Sequence, residues 1–269
     1  MFDPYWLILF GFLIGILASM TGVGGGIFAV PILVFFYGET ITSSQMATAT
    51  SLTAIIFTAV ASSLNYSRQK RIYYKTGLVL AVTSAPGAYF GAWVANRIES
   101  GLLGVIFGVF LVVVAARMII TLTKKKQEDS TSPVKTDSEL VKHRRTLIIG
   151  LSLGFFGGFA SGLLGIGGGT LIVPIMTFGL GMPMFLATAT SMFTMIITAT
   201  AGSIQNFQQG VVNLPLALLI ALGTVIGAQV GASTSRKMSN RSLTLVFAIV
   251  LIAAGVNMLI KFGPLVFAQ

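Results

Sequence analysis

The chain contains no cysteine and a single histidine, His143. The first absence excludes a disulfide framework, a thiolate metal site and a catalytic thiol. Carboxylates are scarce as well. The seven present (Asp3, Glu39, Glu99, Glu128, Asp129, Asp137 and Glu139) all fall at or beyond the ends of apolar runs. No Ser-His-Asp set, paired carboxylates or metal-ligand cluster can be assembled inside those runs, which disfavours an enzyme. The N-terminus has no basic region ahead of its first apolar run and no small-x-small cleavage pattern. It reads as the first membrane element, not a removed signal peptide.

Hydrophobic sequence is abundant instead. Of 269 residues 55% are hydrophobic and only 9% charged, with a mean hydropathy of +0.91. Apolar runs lie at 5–37, 43–66, 75–96, 99–122, 145–180, 184–208, 213–235 and 239–261. Most exceed the roughly 20 residues that a helix needs to cross a bilayer. The expected fold class is an all-α polytopic membrane protein. The net charge of +10 then reads as topology signal and contact with anionic headgroups, not as a nucleic-acid surface. Trp6, Trp93, Tyr5, Tyr73 and Tyr74 lie near run ends, where an interfacial aromatic belt belongs.

One stretch occurs twice. Gly22-Val-Gly-Gly-Gly-Ile-Phe-Ala-Val-Pro31 returns as Gly165-Ile-Gly-Gly-Gly-Thr-Leu-Ile-Val-Pro174, at an offset of 143 residues. Ala47-Thr-Ala-Thr-Ser51 returns as Ala187-Thr-Ala-Thr-Ser191 at an offset of 140, and Gly87-Ala88 and Gly91-Ala92 return as Gly227-Ala228 and Gly231-Ala232. The chain is an internal duplication: repeat 1 at 1–122, a hydrophilic, flexible connector at 123–144, and repeat 2 at 145–269. Equivalent loops carry opposite basic loads. Arg68, Lys70, Arg71 and Lys75 face an uncharged 208–213, and a lone Arg97 faces Arg236, Lys237 and Arg241. Parallel halves would load equivalent loops alike, so the pattern points to inverted-topology repeats.

Inversion with four long runs per half requires one run to fold back. The glycine-split first run is the expected hairpin, with Gly22–Gly26 at its tip and Gly165–Gly169 at the second, followed in each half by three transmembrane helices. This arrangement puts 67–75 and the connector in the cytoplasm, with every Lys and Arg on that side except Arg97, Lys261 and the in-run Arg117. Eight simple crossings are the alternative.

Consecutive glycines inside apolar runs break helices, and their freed backbone groups must be satisfied within protein or a watery cavity. The half-helix starts at the breaks direct backbone N–H groups and positive dipole ends at one place, which suits an oxyanion. With no Lys or Arg clearly at mid-membrane, an anion site would have to use such donors. The expected binding residues are Gly24, Gly25, Gly26, Gly167, Gly168, Gly169 and Thr170. A polar stripe on the following helix (Ser44, Thr48, Ser51, Thr58, Ser62, Asn65), repeated at Thr188, Ser191, Thr198, Gly202 and Gln205, contributes Thr48, Ser51, Asn65, Thr188, Ser191, Gln205 and the adjacent Asn206. A small hydroxyl in a membrane helix also satisfies itself on its own backbone, and small residues also serve close packing. Gly22-x-Gly24-x-x-Ile27 lacks the third glycine and the strand of a dinucleotide fingerprint, so no cofactor is implied. Pro31 and Pro174 lie too deep for a first turn and are expected to kink their half-helices.

The doubled Gly-x-Gly-Gly-Gly-x-x-x-x-Pro, each followed by Ala-Thr-Ala-Thr-Ser, resembles the sulfite exporter TauE/SafE family, also called the toluene sulfonate uptake permeases. The resemblance covers the chain except 123–144. It implies a multi-pass transporter of the cell (inner) membrane that handles sulfite, sulfoacetate or other organosulfonates. The pair of glycine breaks suits alternating access, and a negative-inside potential, which drives anions outward, suits export. The implied partners are a small anionic substrate and the lipid bilayer. An anion channel, or a membrane-embedded assembly or enzyme subunit handling a sulfur or lipid-linked substrate, is the alternative.

Overall fold

The computed structural model describes residues 3–124, 137, 140, 144–235, 252 and 255–264. These are helical, with no strand among them. The helices are α1 (Trp6–Thr21), α2 (Gly26–Phe36), α3 (Ser44–Arg68), α4 (Tyr74–Ala95), α5 (Ser100–Lys124), α6 (Arg144–Leu164), α7 (Gly169–Pro174), α8 (Met184–Gln208) and α9 (Leu214–Thr234). A π-helical turn, Ile175–Gly179, continues α7. Pro174 has no N–H to give the carbonyl four residues back. Past it the ladder widens, with Leu180 N–H bonding Ile175 O at 3.1 Å. By length and composition α3, α4, residues 100–117 of α5, α8 and α9 are able to cross a membrane. The chain is a multi-pass membrane protein, and large side chains such as Leu78, Val82, Phe90, Leu222 and Ile226 lie exposed along its helices where lipid would cover them.

Two compact units form. One comprises Met1–Arg97 with Val134–Ser235, the other Ile98–Pro133 with Arg236–Gln269. In the second unit α5 lies against helical residues 255–264. A methyl group at Gly104 would meet the Phe262 ring, and one at Gly108 would meet Gly255 O and Leu259. These pairs show the two helices running antiparallel.

The first unit holds both glycine breaks. α1 and α2 form a hairpin: the Tyr37 hydroxyl donates to Asp3 O at 3.1 Å, and Phe10 stacks on Phe36 with ring centroids 5.6 Å apart. α6 and α7 fold back in the same way, with Gly157 against Ile172 and Ile175, and Ser161 against Gly168. Each hairpin's first helix packs against a helix of the other half. In α1, Gly11 and Gly15 lie on the carbonyls of Ile220 and Thr224. In α6, Gly154 and Gly158 lie on those of Leu80 and Ser84. From the other side Gly227 and Gly231 approach the Phe12 and Ile16 carbonyls, while Gly87 and Gly91 approach those of Phe155 and Phe159. Only small residues permit helix axes so close. The partners are related by the two sequence offsets, so the packing has an approximate two-fold.

The contact registers give the helix directions. α1 runs parallel to α9 and α6 parallel to α4 in the pairs just named. α3 runs parallel to α9 (Thr50 with Asn213, Asn65 with Gln229), and α4 parallel to α8 (Ser84 with Thr198, Asn96 with Asn206). α3 and α8 are antiparallel, because Thr53 meets Ser203 while Arg71, beyond the end of α3, bonds Phe185 O near the start of α8. Helices at equivalent sequence positions therefore point in opposite directions.

The connector is held at two points. The Asp137 carboxylate accepts from Lys75 N–H (3.0 Å), Thr76 N–H (2.9 Å) and the Thr76 hydroxyl (2.7 Å), capping α4, and Leu140 is buried against Leu80. Lys and Asp content suggested a flexible tether; a carboxylate at a helix N-terminus instead anchors this part of it.

A candidate anion site at two glycine tips

The hairpin tips meet inside the first unit. A side chain at Gly26 would overlap the Gly165 carbonyl, and one at Gly169 would overlap that of Gly22. Gly24 and Gly167 adopt left-handed backbone (φ 82° and 79°) that only glycine holds without strain. Two serines from the repeated Ala-Thr-Ala-Thr-Ser segment clasp the tips crosswise. Ser51 Oγ donates to Gly165 O at 3.0 Å, and Ser191 Oγ donates to Gly22 O at 2.9 Å. Each serine thus holds the tip of the opposite half.

The donors at the tips are left over. The first helical hydrogen bonds of α2 run from Phe28 and Ala29 to Gly25 O, and those of α7 from Leu171 and Ile172 to Gly168 O. Among the described residues no group accepts from the N–H of Gly24, Gly25, Gly26 or Ile27, nor from those of Gly167, Gly168, Gly169 or Thr170. All eight residues are buried. Buried backbone N–H groups are nearly always paired, so the unpaired donors at the starts of α2 and α7, on two tips in contact, are the candidates for receiving an anion's oxygens. Met195 Sδ lies near both Gly24 and Gly167, joined at Gly167 by the Ile55 side chain, while the Ile166 carbonyl oxygen is the nearest atom to the face of Gly24.

The expected site residues divide by height along the helices. Gly24, Gly25, Gly26, Gly167, Gly168, Gly169, Thr170, Ser51 and Ser191 are at the tips, and Thr48 and Thr188 back them, each lying under the opposing Gly165 or Gly22. Asn65 lies 14 residues beyond Ser51, roughly 21 Å along α3. Its amide donates to Gln229 O (3.1 Å), Gln229 Oε1 (3.0 Å) and Ser233 Oγ (3.0 Å), which ties α3 to α9. Gln205 and Asn206 are buried near the other end of α8, where Asn206 accepts from Asn96 at 3.1 Å. These three amides are therefore apart from the tips. Sequence reasoning did not single out Ser161, buried beside Gly168. Aligning the halves would have found it, because it stands where the first half has Ala18. No group of three or more His, Cys, Asp or Glu side chains able to hold a metal occurs among the described residues.

The family comparison agrees with the doubled motif. The model of the family described as sulfite exporter TauE/SafE matches residues 7–258. A "probable membrane transporter protein YunE" of Bacillus subtilis is 33% identical over 264 residues, covering 94% of this chain and 96% of that protein. A probable membrane transporter protein of Methanocaldococcus jannaschii is 30% identical over 266 residues, with 94% of each chain covered. One of Haemophilus influenzae is 28% identical over 269 residues, covering 94% and 97%. No solved structure matches the chain. With both glycine tips and nearly all of the chain inside the matched span, this protein belongs to the TauE/SafE family of membrane transporters.

Proposed function

We propose that the protein is a secondary transporter of a small sulfur-containing oxyanion, such as sulfite, sulfoacetate or another organosulfonate, which it exports across the cell membrane. The observation that carries this reading is the cluster of buried backbone N–H groups without protein acceptors at the meeting point of two hairpins. A sulfite or sulfonate group carries three oxygens, which can accept from donors on both tips. The glycines let the anion approach the backbone, and the neighbouring helices replace its lost water.

Repeats at 1–122 and 145–269, inverted in the membrane and joined by a cytoplasmic connector at 123–144, give this site an alternating-access frame. What supports inversion is the antiparallel course of equivalent helices together with the opposite basic loads of equivalent loops. The tips then lie near mid-membrane, and rocking one hairpin pair against its clasp would open the centre to either side. The wild-type protein in liposomes is expected to accumulate labelled sulfite or sulfoacetate with saturable kinetics. Uptake linear in concentration up to high millimolar levels would indicate a pore, and no uptake of any sulfur oxyanion would reject the substrate class.

A further inference from the structure

The two tips are not chemically equal. Two hydroxyls, those of Ser161 and Thr170, are buried at the second tip and have no hydrogen-bond partner among the described residues. Ser161 is 0% and Thr170 6% exposed. At the equivalent positions the first tip has Ala18 and Ile27. Many hydroxyls in this protein bond a carbonyl three or four residues back, Thr21, Thr53, Thr194, Thr198 and Thr200 among them. Ser161 and Thr170 do not, and they share the lack of a partner with Ser62 and Ser63, on α3 away from the tips.

Both residues lie at the second tip. Thr170 follows Gly169 in the first turn of α7. Ser161 faces the break from α6, its Oγ 3.5 Å from where a Gly168 side chain would start. The backbone differs there too: Gly168 is left-handed (φ 85°) where Gly25 is right-handed (φ −73°). At the first tip the corresponding place is filled by Ile14 and Ala18, which line the back of Gly25. One end of the site therefore adds two O–H donors to its N–H groups, and the other adds only hydrocarbon.

We propose that Ser161 and Thr170 are the residues that orient the transported anion. Resting on the function proposed above, they receive its oxygen-rich head at the Gly167–Thr170 tip, while the remainder of the molecule faces the Ala18 and Ile27 side. A substrate bound this way is polarised across an otherwise two-fold frame. The two hydroxyls then set the preference between an anion with a carbon substituent on its sulfur and one with only a lone pair there.

The test is ligand-induced thermal stabilisation of the purified full-length protein, titrated with methanesulfonate and separately with sulfite. It compares wild type, Ser161→Ala, Thr170→Val and Thr170→Ser. A hydrogen bond to a charged group corresponds to about a ten-fold change in affinity or more. Ser161→Ala and Thr170→Val are each expected to weaken methanesulfonate by about that factor. Thr170→Ser, which keeps the hydroxyl, stays within about two-fold of wild type. Without ligand, both hydroxyl-deleting variants melt at or above the wild-type temperature, because each loses a buried group that has no protein partner. Unchanged affinity in those two variants, or equal losses in Thr170→Val and Thr170→Ser, would overturn the proposal. So would failure of Ser161→Ala or Thr170→Val to fold, since it would give the hydroxyl a structural role. Absence of binding to wild type by either anion would instead reject the underlying transport reading.

Discussion

Removing the serine clasp is the most informative perturbation of the fold around the site. Ser51→Ala deletes one oxygen and introduces no new atom, yet it strips the Gly165 carbonyl of its 3.0 Å partner. Among the described residues that carbonyl has no other donor, and Ser51 is fully buried. Leaving a buried carbonyl unpaired costs about 1–3 kcal/mol. Ser191→Ala does the same to Gly22, with the difference that the serine also touches Thr188 O at 2.9 Å. The two freed carbonyls lie against Gly26 and Gly169 of the opposing tips. The substitutions should therefore couple, and the double variant should depart from the sum of the singles by about 0.5 kcal/mol or more. The assay is thermal unfolding in detergent, followed by the fluorescence of Trp6 and Trp93. At roughly 2–4 °C per kcal/mol for a chain of this size, each single variant should melt several degrees lower. Ser62→Ala is the control, because Ser62 is equally buried but its hydroxyl has no partner; its melting temperature should hold or rise. If Ser51→Ala and Ser191→Ala behave like Ser62→Ala, the crosswise clasp carries no stability and the reasoning fails.

Other consequences follow from the same geometry. Gly26→Ala and Gly169→Ala would each drive a methyl group into the opposing tip's carbonyl, an overpacking worth about 1–3 kcal/mol, and should reduce the monodisperse fraction on size-exclusion chromatography. Asp137→Ala removes the cap of α4 and should lower stability by about 1 kcal/mol, read from the melting temperature. Lys70→Cys and Gly210→Cys place single thiols at equivalent turns of a cysteine-free chain. An impermeant maleimide should reach them from opposite faces of the membrane, and labelling from one face only would refute inverted repeats.

Much of this arrangement was legible in the sequence because it rests on features with strong local signatures. Three glycines in a row break an apolar run, where the Gly157-Gly158 pair stays inside α6, and the 143- and 140-residue offsets recur in the structure as reciprocal contacts, such as Gly15 on Thr224 and Gly158 on Ser84. Ser51 and Ser191 were legible for the same reason, each lying in a repeated segment near a break. The polar stripe was less informative, because helical spacing gives the face of a side chain but not its depth. Asn65 shares a face with Ser51 and yet ends in a network with Gln229 and Ser233, roughly 21 Å away along the helix. Asn206 is likewise engaged by Asn96. Pro174 was read as a kink, and the π turn that follows it is how the chain absorbs the missing donor. Asp137 looked like one charge in a solvated segment, since nothing local marks a carboxylate as the cap of a helix 61 residues earlier. Ser161 carried a signal only in the comparison of one half with the other.

The central claim is that the paired glycine tips bind an anion through backbone N–H groups. It can be read without mutation, by labelling glycine with 13C at its carbonyl and 15N at its nitrogen. One-bond carbonyl-to-nitrogen filtering then reports only glycines preceded by glycine, namely Gly25, Gly26, Gly158, Gly168 and Gly169. Four of these are at the tips, and Gly158 is an internal control in α6 packed on α4. Adding sulfite or methanesulfonate to the protein in bilayers should move the four tip resonances and leave that of Gly158 in place. Saturable binding that leaves all four tip resonances unmoved would place the anion elsewhere and contradict the account.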